Sequence, residues 1–318
     1  MHDETRTGVS TFDTAVRLTR KRARPTLRAS NQEAPMSFVP KFVVPALLAA
    51  SLATGALAAD RWTEIPEPPA MPEPVESGYA PVNGIEMYYA VYGSGEPVLL
   101  IHGGLGHADL WANQVADLMK DHKVIVADSR GHGRSTRTDA PYGYDLMASD
   151  YVALLDHLKI DKTALIGWSD GGIIGLDIAM KHPERLTKLF AHAANSKVEG
   201  LTPTVGTDPV FGNYIEKMGG EYARLSKTPD EYDAFVGQIG KMWESEPAWT
   251  DAELAAIKVP TAIVLGDHDE AITREHTEYL AKTIPGAKLV ILPETSHFAM
   301  LQDPQGYTKE IRDFIGAK

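Results

Sequence analysis

The 318-residue chain contains no cysteine. That single absence excludes disulfides, a thiolate nucleophile, a Cys-ligated metal and a lipid-anchoring cysteine. Positive charge is also scarce: 31 Lys and Arg stand against 43 Asp and Glu, a formal net charge of -12. Such a surface repels nucleic acid and anionic membranes, so neither is expected as a partner. Internal repeats and low-complexity tracts are missing. His102, His107 and Asp109 can be drawn as a metal cluster, yet no H-E-x-x-H or H-x-H spacing accompanies them. Gly103-Gly104-Leu105-Gly106 lacks the G-x-G-x-x-G spacing and the downstream acid of a dinucleotide site. No metal and no cofactor is therefore expected.

What is present is apolar bulk and order. Hydrophobic residues make up 43% of the chain, enough for one sizeable core. Residues 1–35 are polar and basic and read as a non-native or disordered extension. From Met36 a short basic start leads into an apolar stretch, Phe42 to Leu57, and then Ala56-Leu57-Ala58. This is the layout of a secretory signal peptide over 36–58, cleaved near Ala58. The apolar stretch falls short of the ~20 residues of a spanning helix. The reading is of an exported protein, periplasmic or secreted, with no stable membrane insertion after cleavage. Residues 59–78, which hold Pro66, Pro68, Pro69, Pro72 and Pro74, read as an extended surface linker.

From residue 79 onward short apolar runs alternate with amphipathic segments. Val82–Tyr92 predicts an antiparallel pair turning at Asn83-Gly84. Val98–Ile101, Val124–Ala127, Thr163–Gly167, Leu186–His192, Thr261–Leu265 and Lys288–Leu292 predict buried strands. Helices are predicted over Leu110–Met119, Tyr151–Leu158, Gly171–Lys181, Arg274–Thr283 and Gln305–Ile315. The expected fold is α/β, a mostly parallel eight-stranded sheet with helices on both faces. Residues 195–257 contain helical pieces but no buried strand, and read as a small helical cap inserted into the 79–318 domain.

Chemistry concentrates in the turns that follow strands. Gly167-Trp168-Ser169-Asp170-Gly171 matches G-x-S-x-G between a buried strand and a helix, a context that exposes the serine hydroxyl on a sharp turn. Such a hydroxyl needs a base in reach, and the base needs an orienting acid. Glu294-Thr295-Ser296-His297-Phe298 and Gly266-Asp267-His268-Asp269 supply them from two other strand ends. The reading makes Ser169 the nucleophile, His297 the base and Asp269 the acid. Asp269 is preferred to Asp267 because two further residues let the loop curl towards the histidine. Asp267 is then a loop-stabilising carboxylate, and His268 points to solvent. His102-Gly103-Gly104 offers an oxyanion hole, assigned to the N–H groups of Gly104 and Asp170. His102, Arg130 and His132 read as structural. Trp168, Phe211, Tyr214, Trp243, Trp249, Phe298 and Met300 are expected to wall an apolar substrate pocket.

Together with Asp128-Ser129-Arg130-Gly131-His132-Gly133, these motifs make residues 79–318 resemble the α/β-hydrolase superfamily over nearly their whole length. The resemblance implies a cofactor-free serine hydrolase acting on a small carboxylic ester through an acyl-enzyme. Lactone or amide hydrolysis, carbon–carbon cleavage and perhydrolysis use the same triad and stay open. Gly-Trp-Ser-Asp-Gly-Gly is similar to the nucleophile elbow of the valacyclovir-hydrolysing α-amino-acid ester hydrolases. That similarity implies that Asp170 contacts a substrate ammonium, whereas the plain alternative has it merely face the helix N-terminus. A non-catalytic small-ligand binder is the alternative from a different class. Its sign would be a broken triad, and all three members are present.

Overall fold

The computed structural model describes residues 60–316. The expected extension 1–35 and signal segment 36–58 lie outside the described residues. Eight strands form one sheet: β1 (Glu76–Val82), β2 (Ile85–Gly93), β3 (Glu96–Ile101), β4 (His122–Ala127), β5 (Thr163–Trp168), β6 (Leu186–His192), β7 (Thr261–Gly266) and β8 (Lys288–Leu292). Their spatial order is β1-β2-β4-β3-β5-β6-β7-β8. The first two strands are antiparallel to each other, and β2 is antiparallel to β4. Every later pairing is parallel.

The β1–β2 hairpin turns at Asn83 and Gly84, both at positive φ (40° and 80°). This is the backbone a two-residue turn between right-twisted strands requires. The pair reaches back to Glu76, so the last residues of the Pro-rich stretch are strand rather than linker. Side-chain alternation alone missed this, because none of the first three β1 residues is buried.

Helices cover the sheet: α1 (Ala112–Leu118), α2 (Tyr144–His157), α3 (Asp170–Lys181), α4 (Pro209–Leu225), α5 (Tyr232–Trp243), α6 (Asp251–Ala255), α7 (Arg274–Thr283), α8 (Ala299–Gln302) and α9 (Pro304–Ile315). Strands β3 to β7 are buried almost throughout, as parallel strands covered on both faces must be. Helix α2 starts two turns before the expected Tyr151. Its inner face carries Met147, Ala148 and Tyr151 but also the buried Asp150. Arg130 grips that carboxylate through Nε and Nη2 at 2.8 and 2.7 Å, which satisfies a charged residue on the buried face of the helix. Helices α4, α5 and α6 all fall between β6 and β7, and their apolar residues Phe211, Tyr214, Phe235 and Ile239 turn inward.

The Pro-rich stretch is fastened to the body. Arg61 donates to the carbonyls of Pro293 and Glu294, each at 3.0 Å. Gln302 donates to the Glu64 carbonyl at 2.8 Å, and Lys217 of α4 to the Ile65 carbonyl at 2.8 Å. Among the described residues no helix is long and apolar enough to cross a membrane.

Candidate active site

Three loops meet at the carboxyl ends of the parallel strands, the edge where open α/β sheets hold their ligands. The first is the β5–α3 junction. Ser169 sits there at φ 55° and ψ -121°, a left-handed backbone that costs energy in any residue with a Cβ. The turn is so tight that a Cβ on Gly167 would strike the Gly171 carbonyl, and one on Gly171 would strike that of Ile101. Strand and helix can approach this closely only with glycine at both places. Ser169 is thereby pushed out of the sheet into a cavity that His297 also lines.

The second and third loops follow β7 and β8. His297 is buried, and its Nδ1 lies 3.1 Å from both carboxylate oxygens of Asp269. Asp269 in turn accepts the N–H groups of Ala271 and Ile272 at 2.9 and 2.8 Å. Burial pushes the Asp269 carboxyl up, but the facing imidazole and these hydrogen bonds outweigh it and hold the group below its ordinary value. Burial likewise works to lower the His297 imidazole, and the charge and hydrogen bond of Asp269 raise it on balance. Asp267 turns the other way and accepts the Thr295 N–H at 3.2 Å. His268 is partly exposed, yet it does not simply face water: Trp62 stacks flat on it at 3.9 Å between ring centroids. A ring pair of this kind needs a segment 200 residues away, which local sequence cannot show.

Gly104 and Asp170, the expected oxyanion pair, are neighbours. A Cβ on Gly104 would strike the Trp243 ring and lie 2.6 Å from Asp170 Oδ2, and one on Gly103 would lie 3.0 Å from the Ser169 Cβ. Tyr214 anchors this loop by donating to the Gly104 carbonyl at 2.8 Å. Asp170 opens α3, so its own N–H has no acceptor within the helix. Its carboxylate is buried and accepts from Tyr144 Oη at 2.9 Å and Trp243 Nε1 at 2.9 and 3.1 Å. Burial raises this carboxyl to about 6 against those two hydrogen bonds.

His102 is structural. It bonds the Gly103 carbonyl through Nδ1 at 2.7 Å and accepts the Ser129 N–H on Nε2 at 2.9 Å. Burial depresses its pKa to about 4, which keeps it neutral. His132 is buried beside it and bonds the Arg130 carbonyl. His107 and Asp109 meet each other only at 3.9 Å, and no group of three metal-ligating side chains occurs among the described residues.

The pocket wall differs from expectation. Phe211 and Trp243 do line the cavity, with Leu201, Val205 and Ile272. Trp168, Tyr214, Phe298 and Met300 do not: all four are buried, and the first three form an aromatic cluster that backs the loops. Trp249 lies apart, on two outer clefts. A sequence shows that a residue is apolar but not on which side of a loop its ring lies. Tyr144, Asn195, Glu246 and Glu270 were missed altogether. The first three line the cavity, and Glu270 accepts the His297 N–H at 3.1 Å. Only Glu270 left a trace in the sequence, as a second acid directly after Asp269 and before the apolar Ala271-Ile272.

Comparison with known proteins agrees with this architecture. The sequence pattern of the alpha/beta hydrolase fold matches residues 96–222. Serine hydrolase BPHL of Mus musculus is 29% identical over 255 residues, covering 76% of this chain and 87% of its own. The 3-oxoadipate enol-lactonase 2 of Acinetobacter baylyi is 27% identical, covering 71% and 92%. The crystal structure of the enol-lactonase from Burkholderia xenovorans LB400 superposes with a TM-score of 0.60 at 25% identity, over 74% of this chain and 99% of that one. The sheet order, the strained serine turn and these relatives together show an α/β-hydrolase fold whose relatives are hydrolases of that superfamily.

Proposed function

We propose that this hydrolase cleaves a small carboxylic ester through an acyl-enzyme, with Ser169 as nucleophile, His297 as base and Asp269 as its orienting acid. The observation that carries the reading is the convergence of Ser169 and His297 on one cavity, with the imidazole held from behind by Asp269. Ser169 Oγ attacks the carbonyl carbon as its proton passes to His297 Nε2. Asp269 keeps the other nitrogen protonated and stabilises the imidazolium that forms. The N–H groups of Gly104 and Asp170 receive the developing oxyanion. The imidazolium then protonates the leaving alkoxide, and water attacks the acyl-enzyme by the same route in reverse.

The cavity beside Ser169 is walled by Phe211 and Trp243 together with Leu201, Val205 and Ile272, an apolar lining that suits an acyl group. Part of the site is polar, and this favours a second, narrower reading: an ester with an ammonium near the scissile carbonyl, paired to Asp170. Its support is a buried carboxylate that opens on the cavity and is aimed by Tyr144 and Trp243. A desolvated carboxylate pairs strongly with a cation. The lactonases among the relatives put lactones in the same substrate panel. The basic start, apolar centre and small-residue site over 36–58 support export of the enzyme.

Incubation with short p-nitrophenyl esters and a fluorophosphonate tests the main reading. Turnover is expected, together with a covalent label that is lost in Ser169→Ala. A protein that neither turns over esters nor takes the label on Ser169 sinks it.

A further inference from the structure

His297 is held through its main chain as well as its ring. Its carbonyl accepts from the Trp168 indole at 2.7 Å, and its N–H donates to Glu270 Oε2 at 3.1 Å. The acceptor of the second bond is a carboxyl adjacent in sequence to Asp269. Its other oxygen, Oε1, is buried with no hydrogen-bond partner among the described residues. An ionised carboxylate with one unsolvated oxygen is costly, and a neutral acid can leave that oxygen bare at much lower cost. Glu270 thus has two accessible states at one place, and in each the imidazole experiences a different field.

We propose that Glu270 is a positioning residue for His297: it fixes the histidine backbone and, when ionised, places a second negative charge that makes the imidazole more basic. The proposal rests on the reading of His297 as the base. The charged groups facing this pair are few. Asp269 lies beside Glu270 on the same loop and opposes its ionisation, while His297, from the β8–α8 loop, favours it. His192, at the end of β6, is buried and neutral, with Nε2 unpartnered among the described residues. Asp170, at the start of α3, acts on His297 from the far side. Burial first, and the Asp269 charge second, lift the Glu270 carboxyl to about 7. The change of state of Glu270 therefore falls near neutral pH, beside an imidazole that Asp269 raises above its ordinary value.

Glu270→Gln tests this, because the amide oxygen still accepts the His297 N–H while the charge is gone. Two curves are compared with the parent: the acid limb of kcat/KM on a p-nitrophenyl ester, and the imidazole titration of His297 followed by NMR. Both midpoints are expected to fall by about one pH unit, with the plateau kcat/KM within about threefold of the parent. Midpoints that coincide with the parent's would reduce Glu270 to a plain hydrogen-bond acceptor and overturn the proposal. The unmodified protein gives a second measurement that needs no variant. Its His297 resonance should titrate in two steps as Glu270 ionises, and a single-step curve counts against the idea. The titration requires no substrate. A shift seen in a protein that hydrolyses no ester would remove the esterase reading and keep the linkage, and turnover without a shift would do the reverse.

Discussion

The Trp168 indole donates its N–H to the main-chain carbonyl of His297 at 2.7 Å. The residue before Ser169 therefore holds the His297 loop directly, across 129 positions of sequence. Trp168 was expected to face the substrate; it instead couples two of the three loops that make the site. Trp168→Phe keeps the ring and removes the donor. It is expected to cost about 1–2 kcal/mol of stability, since a buried carbonyl loses its partner, and to lower kcat several-fold with KM little changed. Urea unfolding and steady-state kinetics on one variant measure both.

Asp269 and Asp267 are two residues apart and have opposite orientations. Asp269→Asn is expected to lower kcat by about 10³- to 10⁴-fold, because an amide favours the wrong imidazole tautomer. Asp267→Asn should stay within a few-fold of the parent and act on stability alone. Equal losses of kcat in the two variants would place the acid elsewhere.

Asp170 has a pH signature of its own. Its carboxyl, raised by burial to about 6, is ionised above that pH and neutral below it. A cationic substrate pairs only with the ionised form. The preference for an aminoacyl ester over its des-amino counterpart, as a ratio of kcat/KM, should hold at pH 8 and fade as the pH drops through about 6. The kcat/KM ratio reports the free enzyme's ionisation. A ratio flat from pH 5 to 8, or one untouched by Asp170→Asn, removes the amino-ester reading.

The Pro-rich segment before β1 braces the loops that carry Asp269 and His297. Trp62 stacks on His268, and Arg61 holds the carbonyls of Pro293 and Glu294. Trp62→Ala is expected to lower stability by about 1 kcal/mol. Hydrogen exchange should quicken in residues 266–272 and 293–297 and stay unchanged in β3 and β5. Exchange altered uniformly across the sheet would show a general loss of packing instead.

The parallel strands and the Ser, Asp and His at their ends were legible because each signal is local. A run such as Val98–Ile101 has to be buried on both faces, and glycines 167 and 171 have to flank a turn with no room for a Cβ. Chain order also placed Asp269 and His297 after their own strands. Other features depend on atoms far apart in the chain, and only the tertiary structure decided them. It turned Trp168 and Phe298 away from the cavity and brought Tyr144 of α2 and Trp243 of α5 onto one carboxylate. It buried Asp150 under Arg130 and laid Trp62 over His268. The physical reason is one of range. Backbone conformation and strand burial follow from neighbours in sequence, whereas the direction of a side chain at a loop is set by whichever distant surface closes over it.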